Sequence, residues 1–267
     1  MRTPTADLIT QFLAWFALGG LVLGAALWTP IGFFTAWAVK RKRVTGALQP
    51  PVTYAELDAL YERLDQLPRR LRHYGAWKVR LDVVYALALP LLAGRKQVVD
   101  LGAGIGLLAA LLHARSPQTM IRCVEWDAGK AAAAGKLMQG VSQVTVVEGN
   151  ARIAELGTPD AICLFDVLHY SPVEEQKAWV LRCASALVPG GVLLVRELDP
   201  ERGRWGLAEK IERRAVKGGW NRGAGVFAWP VSEISAVLRG VGMTVEVRQA
   251  GSGLFSANAL VVARKVG

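Results

Sequence analysis

The sequence predicts an α/β fold with a mostly parallel, doubly wound sheet of seven strands that ends in an antiparallel hairpin. Three observations predict it. From residue 97 onward, short apolar strands alternate with helical segments. A glycine-rich turn follows the first of these strands, and the last two strands are separated only by residues 251–258. Strands that alternate with helices pair in parallel, whereas a loop too short for a crossover helix joins antiparallel neighbours.

The predicted strands are 97–101, 120–125, 144–148, 161–165, 192–197, 244–248 and 259–264, with helices at 107–114, 128–138 and 174–187. Two helices are predicted before the sheet. The first begins at Thr53, and Glu56 three residues later completes a capping box. The second is predicted over residues 77–93 from apolar residues at three- and four-residue spacing. Arg80 and Asp82 lie inside it, so we expect it to pack on the sheet rather than span a membrane.

An uncharged apolar segment, Leu8–Val39, is long enough to cross a bilayer. It is longer than the apolar part of a signal peptide and precedes no small-residue cleavage site, and its length argues against a buried soluble helix. Residues 40–43 are all basic, which places the rest of the chain in the cytoplasm. We expect a single-pass protein of the bacterial inner membrane. The segment forms either one tilted span or a span followed by an interfacial helix from Pro30.

These observations divide the chain into a membrane anchor with a basic collar (1–44), a helical linker region (45–74) and a globular domain (75–267). Within this domain, residues 200–230 form a lid-like insertion. Its composition predicts either a lid over the acceptor pocket or an amphipathic helix that lies on the protein or membrane surface. Of the net charge of +10, residues 1–44 carry +4 and the remainder +6. A nearby anionic membrane surface explains this charge, and no nucleic-acid-binding motif accompanies it. The three cysteines lie in apolar runs without CxxC spacing and the three histidines are scattered, so we predict reduced core cysteines and no metal site.

The glycine-rich turn runs Asp100-Leu-Gly102-Ala-Gly104-Ile-Gly106 between a strand and a helix. Such a turn directs backbone N–H groups and the positive end of a helix toward a ligand. Two interpretations compete. Dinucleotide-binding enzymes use the spacing G-x-G-x-x-G, but the spacing here is G-x-G-x-G.

This spacing resembles the first motif of the Rossmann-like class I methyltransferases that use S-adenosyl-L-methionine (SAM). Glu125-Trp126, about twenty residues later, matches the position that binds the ribose hydroxyls, with Trp126 beside the adenine. Asn150-Ala151 resembles the third motif, although the family commonly has an acidic residue in place of Asn150. Leu187-Val-Pro-Gly-Gly191 closely matches the turn before the fifth strand. The resemblance covers residues 75–267.

The resemblance implies that SAM is the cofactor and that ten residues bind it: Asp100, Gly102, Ala103, Gly104, Gly106, Glu125, Trp126, Asn150, Ala151 and Asp166. Asp166, at the end of the fourth strand, is predicted to contact the SAM amino group or the acceptor. His169 is a candidate catalytic base for a hydroxyl acceptor, although a histidine here often only packs or caps a helix. Asp166 and His169 are thus the candidate catalytic residues. His73-Tyr74 precedes the sheet where the family often closes over SAM.

The sequence therefore predicts a membrane-anchored SAM-dependent methyltransferase. The anchor favours a small, hydrophobic or lipid-linked acceptor, methylated on oxygen or carbon. The arginine- and tryptophan-rich insertion and the tail at residues 251–262 resemble the small methyltransferases of bacterial aryl-polyene pathways. Two alternatives stay open at this point. One is a nicotinamide-dependent oxidoreductase, which the glycine spacing and the terminal hairpin disfavour, and the other is a SAM-fold interaction protein without catalytic activity. The sequence indicates no oligomeric state.

Overall fold

A single seven-stranded sheet organises the part of the chain that the computed structural model describes, residues 52–203, 205–217, 225–250 and 257–267. The strands are β1 (Gln97–Leu101), β2 (Met120–Glu125), β3 (Val144–Glu148), β4 (Ala161–Phe165), β5 (Val192–Leu198), β6 (Met243–Gln249) and β7 (Asn258–Lys265). Their order is β3-β2-β1-β4-β5-β7-β6. Strands β1 to β5 are parallel, and β7 pairs antiparallel with both β5 and β6. The predicted sheet and its antiparallel end are confirmed.

Eight α-helices are described: α1 (Tyr54–Leu64), α2 (Arg69–Leu81), α3 (Val84–Leu92), α4 (Leu107–Arg115), α5 (Ala128–Leu137), α6 (Val173–Ala186), α7 (Trp205–Lys217) and α8 (Val231–Gly240), with a short 3₁₀ helix at Leu168–Tyr170. The capping box predicted at Thr53 and Glu56 is present, with both reciprocal hydrogen bonds made. The predicted insertion contains α7.

The single helix predicted over residues 77–93 is wrong. The chain leaves the helical conformation at Asp82, whose backbone is extended, and helix α3 begins at Val84. The side chain of Asp82 explains the break, because its Oδ1 accepts a hydrogen bond from the Val84 N–H at 3.0 Å. A carboxylate that satisfies a free N–H at a helix start competes with continuation of the helix before it.

The sheet is covered on both faces, as expected for a doubly wound fold. Alternate residues of each strand belong to different cores: Val192 and Leu194 pack with α1, α3, α4 and α5, whereas Leu193 and Val195 pack with α6 and α8. Helix α1 is held on α4 by a charged pair in which Arg115 donates to both carboxylate oxygens of Glu56, at 2.6 and 2.9 Å. The three cysteines are buried and free, in agreement with their prediction as core residues.

Strand order reverses between β1 and β4, since the chain winds outward to β2 and β3 before it crosses to β4. In open α/β sheets, ligands bind at the carboxyl ends of the strands at such a switch point. None of the described helices combines the length and apolar composition needed to cross a membrane. The span predicted at residues 8–39 lies outside the described residues.

Candidate active site

A cavity of about 630 Å³ lies at the carboxyl ends of β1 to β4, at the switch point of the sheet. Nine of the residues predicted to bind SAM line it: Asp100, Gly102, Ala103, Gly104, Glu125, Trp126, Asn150, Ala151 and Asp166. Gly106 and His169 are the two predicted site residues outside this lining. The register of the parallel strands explains the convergence, because the segments after β1, β2, β3 and β4 all emerge at the same edge.

The three glycines of the loop have different structural roles, although each has a positive φ. A Cβ added at Gly102 would lie 2.2 Å from Cγ1 of Val167, so the loop packs tightly against the segment after β4. A Cβ at Gly104 would meet nothing within 4 Å, which leaves this position open to the cavity. Gly106 is the N-cap of α4 and faces Ala134 of α5. Gly106 therefore supports helix packing instead of lining the ligand site.

The carboxylate of Glu125, the last residue of β2, binds the backbone of the glycine loop. Its Oε2 accepts a hydrogen bond from the Gly104 N–H at 2.8 Å, and its Oε1 accepts one from the Asp127 N–H at 3.0 Å. Glu125 is buried yet lines the cavity. A carboxylate has about four acceptor positions, so these two bonds leave capacity for a ligand's hydroxyl groups. This placement fits the predicted role of Glu125 toward a ribose.

Asp100 is a buried carboxyl group at the end of β1. Its strand neighbours in register are Cys123 and Cys163, which supply no charge to balance it. Burial, together with the nearby carboxylate of Glu125, raises the pKa of Asp100 to about 7. Asp100 is therefore partly protonated at neutral pH.

Asn150, Trp126 and Arg152 form the end of the cavity beside β3. The side-chain oxygen of Asn150 accepts a hydrogen bond from the Arg152 N–H at 3.0 Å, which sets the plane of its amide. Trp126 is 43% exposed and stands at the rim. The guanidinium of Arg152 is paired with the carboxylate of Glu175. This end combines an aromatic face with an amide and fits a purine better than an anionic group.

His169 is buried just behind the cavity wall. Its Nδ1 lies 2.5 Å from Oε2 of Glu197, and the other oxygen of Glu197 accepts from the N–H groups of Val167 and Leu168 at 3.0 and 2.7 Å. Within the described residues Nε2 has no hydrogen-bond partner, and Oε2 of Glu212 lies 4.0 Å from it. Burial opposes protonation, but the charge of Glu197 outweighs it and raises the pKa of His169.

Comparison with known proteins identifies the fold. A family model described as a methyltransferase domain matches residues 99–193, the segment that runs from the glycine loop to the start of β5. This segment is therefore similar to a methyltransferase domain, in agreement with the predicted class I, SAM-dependent fold. No curated protein matches the sequence significantly.

Solved methyltransferases share the fold of this domain. An O-methyltransferase family protein from Burkholderia thailandensis aligns with a TM-score of 0.56 at 20% identity, over 77% of this chain and 62% of its own. An O-methyltransferase of neocarzinostatin biosynthesis, crystallised with SAM and 2-hydroxy-5-methyl naphthoic acid, gives 0.54 at 21% identity, over 72% and 55%. Magnesium protoporphyrin IX methyltransferase from Synechocystis PCC 6803, with bound S-adenosylhomocysteine (SAH), gives 0.51 at 19%, over 88% and 94%. This chain thus spans less than two thirds of the length of the first two.

The cavity also borders a charged cluster that was not predicted from the sequence, formed by Lys78, Asp82, Asp166 and Arg196. Nζ of Lys78 lies 2.6 Å from Oδ2 of Asp82 and 3.6 Å from Oδ2 of Asp166. Nη1 of Arg196 lies 3.1 Å from Oδ2 of Asp82 and also donates to Asp166. One signal was available in the sequence: Arg196 interrupts the apolar run of β5, and a buried arginine requires an acidic partner.

Aromatic side chains line the cavity beyond Asp166. Tyr74 from α2, Tyr85 from α3 and Tyr170 after β4 all face it. The hydroxyl of Tyr170 donates to Oε2 of Glu212 at 2.6 Å, which joins the segment after β4 to helix α7 of the predicted insertion. Within the described chain, no group of acidic, cysteine or histidine side chains is arranged to hold a metal ion.

Proposed function

We propose that this protein is a SAM-dependent O-methyltransferase that acts on a hydroxyl group of a small acceptor. One observation carries the proposal: a single cavity joins a nucleoside end, formed by the glycine loop and Glu125, to an aromatic end next to Asp166 and the buried His169. SAM supplies a methyl group that is already activated on a sulfonium. The protein has only to align the acceptor, exclude water and take up the acceptor's proton.

The lining fits SAM in size and chemistry. Gly104 is open to the cavity where any larger residue would project a Cβ. Glu125 has acceptor capacity for ribose hydroxyls, and Trp126 with Asn150 suits the adenine. The volume, about 630 Å³, is within the range of cavities that hold a drug-sized ligand. These features favour SAM over a dinucleotide, whose pyrophosphate would require the wider G-x-G-x-x-G turn.

His169 is the proposed base. The carboxylate of Glu197 orients the ring through Nδ1 and stabilises the imidazolium that forms when Nε2 takes a proton. A carboxylate has the same two roles toward the histidine of a Ser-His-Asp triad. Nε2 lies near Glu212, a cavity-lining carboxylate. The proton of an acceptor hydroxyl therefore passes beside Glu212 to reach His169. Since only the neutral imidazole accepts a proton, and the pKa of His169 is raised, we expect turnover to increase with pH above 6.5.

The acceptor is proposed to be hydrophobic, either a small aromatic compound or a lipid-linked chain. Tyr74, Tyr85 and Tyr170 supply an aromatic surface at the end of the cavity away from β3. The neocarzinostatin enzyme, which shares this fold, was crystallised with a hydroxylated naphthoic acid. Mass spectrometry of lipid and aqueous extracts, from cells with and without the protein, tests this proposal. We expect the organic extract to contain a product in which a methyl group replaces one hydrogen, so that it is heavier than its precursor by one CH2. A product confined to the aqueous extract would contradict the proposal.

Calorimetry tests the cofactor. We expect the purified protein to bind SAM and SAH with micromolar or tighter affinity and not to bind NADH. Binding of NADH alone would instead establish an oxidoreductase. Binding of SAM without any methyl transfer to cell extracts would favour the alternative of an interaction protein. For the base, His169→Gln should lower kcat at least tenfold while the affinity for SAH stays within a factor of two.

Membrane anchoring by residues 8–39, with the catalytic domain on the cytoplasmic side of the bacterial inner membrane, is also proposed. The uncharged segment and the four basic residues that follow it support this arrangement. We expect the full-length chain to stay in the membrane fraction after washing at alkaline pH. A chain that lacks residues 1–44 should be released and should still bind SAH. Release of the full-length chain by the same wash would contradict the proposal.

A further inference from the structure

The turn after β3 forms one wall of the cavity and leaves the sheet at its edge. Strand β3 is the outermost strand, so this turn has a neighbouring strand on one side only. The pairing of β2 with β3 continues as far as the Gly149 N–H, which donates to the Glu125 carbonyl at 2.9 Å. Beyond it, Asn150 and Ala151 line the cavity, whereas Ile153 is 80% exposed. The position of the wall therefore depends on contacts with another element.

Helix α6 supplies these contacts through the side chain of Arg182. Its Nη1 donates to the Ala154 carbonyl at 2.8 Å, and its Nη2 donates to the Ala151 carbonyl at 3.1 Å. Arg182 is half-buried, and hydrogen bonds from a charged donor are stronger than those from a neutral one. The two donors belong to one rigid plane, so they restrict both the separation and the direction of the two carbonyls. Arg182 thus holds the beginning and the end of the turn together.

A second contact between α6 and the turn is weaker. The guanidinium of Arg152 is paired with the carboxylate of Glu175, but the two side chains are 37% and 48% exposed. Exposed ion pairs contribute little, because water and salt screen them and long side chains lose freedom when they pair. Arg182 is therefore the stronger of the two polar links from α6 to this wall of the cavity.

We infer that Arg182 is a positioning residue for the nucleoside end of the cofactor site. This inference rests on the proposed function. Arg182 is not among the described residues that line the cavity, but the Ala151 carbonyl that it binds belongs to one that does. A displacement of that carbonyl moves the surface on which the base of SAM lies. A displacement of about 1 Å in a site can cost roughly 100-fold, even when the residue that causes it is remote.

The base of the reaction is held by other contacts. Glu197 of β5 orients His169 and accepts from the Val167 and Leu168 N–H groups, none of which belongs to the turn after β3. Loss of Arg182 should therefore weaken the binding of the cofactor and leave the transfer step intact once the cofactor is bound. A residue that merely supported the fold would affect binding and transfer together.

The test measures, by calorimetry on the full-length protein, the affinity for SAH and for 5′-methylthioadenosine, which keeps the nucleoside and lacks the amino acid. We expect Arg182→Met to weaken both about 10- to 100-fold, by the same factor and with unchanged stoichiometry. In turnover, KM for SAM should rise by a similar factor while kcat at saturating SAM stays within about a factor of two. Arg182→Lys should recover part of the affinity, because an ammonium keeps the charge but not the planar pair of donors.

Arg95→Met is the matched control. Nη1 of Arg95 donates to the carbonyls of Asp160 and Gly190, at 3.4 and 3.1 Å, and these residues precede β4 and β5 at the amino ends of the strands, away from the cavity. We expect this variant to lower the free energy of unfolding and to leave the affinity for both ligands unchanged. An equal loss of affinity in Arg95→Met and Arg182→Met would overturn the inference, because the loss would then reflect the stability of the whole fold.

Three further results would also overturn it: an unchanged SAH affinity in Arg182→Met, a loss for SAH that methylthioadenosine does not share, or a reduced kcat with an unchanged KM for SAM. If Arg182→Met does not fold, Arg182→Lys decides. A loss of SAH affinity of about 3- to 30-fold supports the inference, and an affinity equal to that of the wild type refutes it. Failure of the wild-type protein to bind either ligand would instead refute the proposed function itself.

Discussion

Replacement of Asp100 by asparagine should stabilise the ligand-free protein at alkaline pH and leave its stability at pH 4 nearly unchanged. Asp100 is 4% exposed, and both its burial and the charge of Glu125 oppose its ionised form. The folded state thus raises the pKa of this carboxyl group from its ordinary value of 3.8 to about 7. Asparagine has the same shape and no charge to bury.

The direction of this pH dependence follows from the difference in proton binding between the folded and the unfolded chain. Between pH 4 and pH 7 the folded chain keeps a proton on Asp100 that the unfolded chain releases. The stability contributed by this group is therefore complete below the unfolded pKa and is lost as the pH rises toward 7. A gap of about three pH units, at about 1.4 kcal/mol for each, gives a loss of roughly 4 kcal/mol at pH 8. The Asp100→Asn protein should avoid most of this loss of stability, because asparagine does not ionise.

The assay is urea unfolding of the ligand-free protein at intervals from pH 3 to 8, for the wild type and for Asp100→Asn. We expect the two free energies of unfolding to agree at the lowest pH and to separate by a few kcal/mol at the highest. Glu125→Gln provides an internal check, since removal of its charge should lower the pKa of Asp100 and reduce the separation. Parallel curves for wild type and Asp100→Asn would refute the reasoning, because Asp100 would then not be protonated in the folded state.

Three further predictions concern the loop, the base and the fold. Gly102→Ala places a Cβ 2.2 Å from a neighbouring side-chain carbon and should abolish SAH binding in calorimetry, whereas Gly140→Ala, also at positive φ but with nothing within 4 Å, should cost only about 1 kcal/mol and leave binding intact. Glu197→Gln should lower the pKa of His169 and move the acid limb of the kcat profile to lower pH, and an unmoved limb would show that the pair does not titrate in turnover. Arg115→Met leaves the buried carboxylate of Glu56 unpaired and should reduce the free energy of urea unfolding by about 3 kcal/mol. A change below about 1 kcal/mol would show that the Arg115–Glu56 pair does not hold α1 on α4.

Local patterns were sufficient for most of the fold. The strands, the glycine turn and the capping box at Thr53 follow from periodicity and from residues within a few positions of each other, and the structure confirms them. The helix expected over 77–93 failed for a reason that local patterns do not contain. Asp82 reads as one polar residue on an apolar helix, but its carboxylate caps α3 and pairs with Arg196, 114 positions along the chain. The helix break at Asp82 is therefore favoured only when the folded chain brings Arg196 next to its carboxylate.

The site divides in the same way. The sequence alone determined that the segments after β1 to β4 converge, since parallel strands with these spacings present their carboxyl ends at one edge. It also supplied nine residues that line the cavity. Only the tertiary structure decided that His169 lies behind the wall against Glu197, that Gly106 packs α4 on α5, and that Lys78 faces Asp166. The physical reason is that these contacts depend on side-chain direction and on the register between distant elements, whereas a motif specifies only the backbone path that brings the elements to the same edge.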